Sequence, residues 1–183
     1  ESLAAIESMR PTLADNNAEE AAHQAVTAAR ARLNMLDAGV AIIEQSLMAT
    51  EAFLDCQGGW RAVINADAAA REATALLREM SEANVRASME ESDEAVTQLN
   101  DARELFTKAQ GAYPGLDLDS FIAYVEKRLE AQQAALASDQ AYLDRDKEAL
   151  AEENDRYNAL EAEAAALAQD LGDDPDQRVA NRF

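Results

Sequence analysis

Helix-ending residues gather at only three places in this chain, and their spacing constrains the fold more than any other feature. Gly58 and Gly59 stand in CQGGW at residues 56–60. Gly111, Pro114 and Gly115 stand in GAYPGLD at 111–117, and Gly172 and Pro175 in LGDDPD at 171–176. The whole chain of 183 residues holds six glycines and three prolines, so little material remains for other turns. Between these points run segments dominated by Ala, Glu, Leu, Arg and Gln, all strong helix formers. The spacing predicts helices over about residues 17–57, 60–110 and 118–171.

Start signals agree with these bounds. Asn17 followed by Glu20 has the spacing of a capping box, and Asp117 is placed to cap the third helix, with Leu116 and Phe121 at the two positions of a hydrophobic staple. Residues 1–15 carry Leu3, Ile6, Met9 and Leu13 at helical spacing but include Pro11, which predicts a short helix or a kinked extension. Residues 173–183 read as an irregular acidic tail.

The first helix carries Ala22, Val26, Ala29, Leu33, Leu36, Val40, Ile43, Leu47, Thr50 and Leu54 alternately four and three apart, which is a heptad seam. The second has one stripe through Val63, Ala66, Ala70, Ala73, Leu77 and Met80 and another through Val85, Met89, Ser92, Val96, Leu99 and Phe106. A slip near Ser81 between them resembles a stutter. The third runs from Leu118 through Leu129, Gln132, Leu136, Asp139, Leu143, Asp146, Leu150, Glu153 and Tyr157 to Leu171. Two helices of about 50 residues reach about 75 Å. The fold expected is therefore an elongated, all-α, antiparallel three-helix bundle over residues 16–172 with coiled-coil-like seams. A dimer of bent hairpins is the alternative.

The carboxylates in the third seam need an explanation. If the second and third helices fold back on each other near Tyr113, Arg78 falls between Asp146 and Glu153 in height, and Arg71 is level with Tyr157. Folding the first two helices back at the glycine pair brings Arg78 beside Asp37. Arg78, Asp146, Glu153, Arg71 and Asp37 are thus expected to form a layer that fixes register rather than adding stability. The alternative leaves these acids in water beside a narrow seam.

Catalytic and metal chemistry finds no foothold. His23 is the only histidine; Glu20 stands three residues before it, but a di-iron bundle needs a Glu-x-x-His pair from each of two helices, and the second histidine is missing. DLDS at 117–120 and DDPD at 173–176 lack the glycine and distal glutamate of a calcium loop. Cys56 is the sole cysteine, which excludes an intrachain disulfide and a cysteine metal site. No glycine-rich phosphate loop occurs. We expect no catalytic residue, no cofactor and no bound metal.

With 36 acidic against 16 basic residues the formal charge is −20, which disfavours nucleic acid and anionic lipid. No apolar run approaches the roughly 18 residues of a membrane span. Opening on ESLAA and closing on VANRF, the chain reads as a mature or excised piece whose anchor, if any, lies outside it. The function expected is a non-enzymatic helical module, a spacer or protein-binding domain of an envelope-associated or secreted protein, with self-association or a protein partner. The alternatives are a cytoplasmic coiled-coil adaptor and a helical ligand-sensing domain with a pocket near Trp60 or Tyr113.

Overall fold

A computed structural model describes the backbone of residues 2–172 and 174–181, and their side chains from residue 15 onward. The elements are α1 (Ser2–Leu76), α2 (Glu82–Ala112), α3 (Asp119–Asp144), α4 (Lys147–Gln169) and α5 (Pro175–Ala180). No strand occurs among the described residues. Among the described residues four long helices and one short one therefore stand where three were expected. The chain divides into two compact units, Glu1–Leu47 and Met48–Phe183, each described by itself.

Within Met48–Phe183 the expected helix end at Gly58-Gly59 is absent. A Cβ at Gly59 would lie 2.7 Å from Cε1 of Phe106, and one at Gly58 would lie 3.2 Å from Cδ1 of Leu105. The glycines serve close approach to α2 and do not terminate the helix. The chain instead reverses at residues 77–81, where the Ser81 hydroxyl accepts the Asn84 N–H at 3.1 Å and the Asn84 side-chain amide donates to the Glu79 carbonyl at 2.9 Å. What the sequence shows as a stutter is a turn. Helix α2 then runs back along α1, as the Asn65–Gln98 hydrogen bond and the Lys108–Asp55 ion pair show.

The turn at 111–117 falls where the sequence puts it, but its cap differs. Leu118, not Asp117, is the residue before α3 and it makes no side-chain cap. Its N–H donates to Oε1 of Gln110, while Asp117 accepts the Asp119 N–H at 3.1 Å. Leu116 and Phe121 are both buried in the main core.

The third expected helix is two helices. Arg145 takes φ 61° and ψ 27° at the end of α3. Its N–H donates to the Tyr142 carbonyl at 3.1 Å, and the Asp146 N–H donates to the Ala141 carbonyl at 2.9 Å. This is a Schellman motif with arginine in the place usually held by glycine. Asp146 then accepts the Glu148 and Ala149 N–H groups at 3.1 Å each and starts α4. Helix α4 folds back on α3, with Ser138 bonded to Asn154 at 3.1 Å and Lys127 paired with Glu163 at 3.1 Å. Four helices thus alternate up and down, and the bundle begins near Met48 rather than residue 16.

The core is built from small residues on α1 and aromatic ones opposite. Ala49, Ala52, Cys56, Val63 and Ala66 are buried on α1, and Phe106, Leu99, Leu118 and Phe121 are the large side chains they meet. Trp60 stands edge-on to Phe121 with centroids 5.7 Å apart. The heptad seam traced through Thr50 and Leu54 is not this stripe, and Leu54 is 59% exposed. The tail is not irregular: Pro175 opens α5, Val179 is buried, and the Arg178 guanidinium lies 4.6 Å over the Phe121 ring.

Within Glu1–Leu47 the backbone of residues 2–47 belongs to α1, so the expected cap at Asn17 and helix end near residue 15 do not occur. The side chains of Leu3, Ile6, Met9 and Leu13 lie outside the described residues. Nearly every described side chain of this unit is exposed.

Candidate functional site

The five residues expected to form a register layer are placed apart by the fold. Arg78 is exposed in the 77–81 turn and Arg71 is exposed on α1. Asp146 is engaged in capping α4, and Glu153 pairs with Arg156 one turn on at 3.4 Å. Asp37 is exposed in the other unit. Two turns are the cause: the reversal at 77–81 replaces the one expected at Gly58-Gly59 and parts Arg78 and Arg71 from Asp37, and the turn at Arg145 shifts every residue after Asp144 out of the register assumed for one long helix.

An ionic layer nevertheless exists at another address. The Arg128 guanidinium on α3, with 14% of its side chain exposed, pairs with Asp67 of α1 at 2.8 Å and Glu161 of α4 at 3.4 Å. Burial works against its charge, but the two carboxylates outweigh that and hold its pKa above the usual value. Arg128, Asp67 and Glu161 each lie one residue from a buried seam residue, Leu129, Ala66 and Leu160. Reading only the a and d positions of the seam overlooks these flanking charges.

Farther along the bundle all four long helices line a cavity of about 130 Å³. Ser88, Ser92, Gln132, Ser138 and Asp139 are buried there, with Asn154 and Tyr157 on the α4 side. Burial pushes the Asp139 carboxyl above the usual range, and Ser88 beside it offsets part of that rise. Asp139 Oδ2 has no hydrogen-bond partner. The cavity can hold a few waters or a very small polar molecule. Trp60 and Tyr113, around which a sensing pocket was expected, are packed against or within the main core.

Cys56 is fully buried, and burial followed by repulsion from Asp176 and Asp55 pushes its thiol up to about 12. It is therefore a packing residue, not a nucleophile. Among the described residues no group of three or more His, Cys, Asp or Glu is placed to hold a metal.

The most unusual surface lies on residues 22–47. Val26, Leu33, Leu36, Val40, Ile43 and Leu47 are between 50% and 67% exposed. With Ala22 and Ala29, also exposed, they form one continuous stripe at alternating four- and three-residue spacing. Scattered apolar residues on a surface need no explanation, but a heptad stripe about seven turns long does. This stripe is the seam read from the sequence, and the chain leaves it uncovered.

Comparison with family models, with curated protein sequences and with solved structures finds no match to this chain. Among the described residues no helix is long and apolar enough to cross a membrane.

Proposed function

We propose that this chain is a non-enzymatic protein-interaction and spacer module of an envelope-associated or secreted protein. Residues 22–47 are its coiled-coil-forming binding element, and the four-helix bundle is its rigid support. The observation that carries this reading is the exposed heptad stripe from Ala22 to Leu47. Leaving six large apolar side chains in water forgoes stabilisation worth roughly 1.5–3 kcal/mol each on full burial, which a helical partner would recover. The Arg128 layer and the Asp146 cap support the scaffold role, because each ties a helix to a single register.

A photoreactive side chain at Leu36 is expected to give polypeptide adducts in cells, whereas one at exposed Arg86 on α2 is not. Equal labelling from both positions contradicts the binding element. The location rests on the net charge of −20, and fractionation checks it. Recovery from the envelope or medium is expected, and recovery from the cytoplasm favours an adaptor instead.

The cavity around Asp139 favours a second reading, a helical ligand sensor. At about 130 Å³ its ligand is a molecule of a few heavy atoms that donates hydrogen bonds to a carboxylate. Small amines or polyols raising the melting temperature of the native chain, but not of an Asp139→Leu variant, would support that reading over the first.

A further inference from the structure

We infer that the partner of the exposed stripe is a second copy of this chain, paired antiparallel so that Leu33 of one copy meets Leu36 of the other. The inference rests on the interaction reading above and adds the identity and direction of the partner.

A repeat of seven is itself the first observation. A seam with 3.5-residue periodicity stays in contact only with another helix that supercoils around it, whereas a membrane surface or a globular partner imposes no such period. The stripe runs from Ala22 to Leu47 without a polar interruption at any seam position.

Charge is the second. Residues 22–36 contain Arg30 and Arg32 and no acid, while residues 37–51 contain Asp37, Glu44 and Glu51 and no base. Each copy therefore presents one basic half and one acidic half beside the same seam. Two copies side by side in the same direction set acidic half against acidic half, with Arg32 against Asp37 as their one opposite pair. Reversing one copy sets each basic half against an acidic one, and it brings Arg30 beside Asp37 of the second copy, twice by symmetry.

Side-chain size is the third. The basic half begins with the small seam residues Ala22, Val26 and Ala29 before reaching Leu33 and Leu36, and the acidic half carries Val40, Ile43 and Leu47. A parallel pair would stack alanine on alanine at one end and leucine on leucine at the other. In the antiparallel register Ala22 meets Leu47, Val26 meets Ile43, Ala29 meets Val40 and Leu33 meets Leu36. No layer then holds two alanines, so the volume varies less along the seam than in the parallel pair.

Sedimentation equilibrium and disulfide trapping test the inference together. At about 50 µM the native chain is expected to sediment at twice its 19.8 kDa mass. The double variant Leu36→Glu, Ile43→Glu is expected at the single-chain mass, with the thermal unfolding of the bundle unchanged. Mixing an Ala29→Cys chain with a Val40→Cys chain under mild oxidation should give the mixed disulfide, whereas either chain alone should give none, because its own cysteines lie about 16 Å apart in the pair. Cys56 is buried and stays out of the reaction. A single-chain mass for the native protein overturns the inference. So does a double variant that remains dimeric, and so does a disulfide formed by either cysteine chain alone, which would mean parallel pairing. If the native protein is a monomer while Leu36 still cross-links to another polypeptide, self-pairing fails and the interaction module stands.

Discussion

The Arg128 guanidinium touches two carboxylates from two other helices, so its removal strands both acids at once. Charges that keep a third of their exposure, as Asp67 and Glu161 do at 33% and 32%, lose less than fully buried ones. Arg128→Met is therefore expected to cost about 2 kcal/mol in urea unfolding, below the roughly 3–5 kcal/mol of a fully buried pair. Arg78→Met, at an exposed turn, should stay within about 0.5 kcal/mol of neutral. Adding Asp67→Asn and Glu161→Gln to the Arg128 variant should recover much of the loss, and strict additivity would show that the three groups do not act together. Asp139 gives a pH signature. Its carboxyl is raised by burial, so the folded state binds more protons than the unfolded state, and the associated stability is present at low pH and lost as pH rises through the raised value. Asp139→Asn should therefore raise the melting temperature at pH 7, and the gain should shrink toward the ordinary carboxylate range near pH 4. An equal gain at both pH values would contradict that assignment.

At the scale of elements, the sequence shows helix more clearly than it shows where helix ends. The GAYPGLD turn is legible because Gly115, at φ 80°, does what glycine does in turns. The two glycines of CQGGW carry the same local signal with a different cause, since only the Phe106 ring across the bundle reveals that they are there for contact. Gly59→Ala is expected to destabilise the bundle by about 1–2 kcal/mol through overpacking, despite the better helix propensity of alanine. Gly39→Ala, with no atom within 4 Å of the added Cβ, should instead raise helical ellipticity. The break at Arg145 has the reverse problem, a left-handed residue without a glycine to mark it. The one trace it leaves is Asp146, a good capping residue whose seam position suggested a buried charge instead. Relieving the left-handed strain, less the entropy glycine adds to the unfolded chain, makes Arg145→Gly stabilising by about 0.5–1 kcal/mol. A loss of stability in urea unfolding would mean that the arginine side chain holds the turn. The apolar stripe of residues 22–47 was legible as a period, but the sequence carried it on to Leu54 and placed it inside the bundle, whereas these side chains are exposed. The ionic layer was not legible, because it depends on which helices become neighbours, and one unmarked turn changes that.

At the scale of the whole molecule, the two units differ in what holds their helices. The helices of Met48–Phe183 bury apolar stripes against one another, capped and tied by Arg128, Asp55 and Arg178. Residues 15–47 have alanine-rich helix propensity and an exposed seam, and a helix without a packed face is marginal in water. If the segment self-associates as proposed, its protection from solvent exchange comes from association, and association depends on concentration. Amide hydrogen exchange, followed segment by segment at about 1 µM and about 100 µM chain, tests this most directly. Amides of residues 22–47 are expected to slow at least about tenfold at the higher concentration, while those of α2 stay equally protected at both. Exchange over residues 22–47 that is the same at both concentrations would contradict the account.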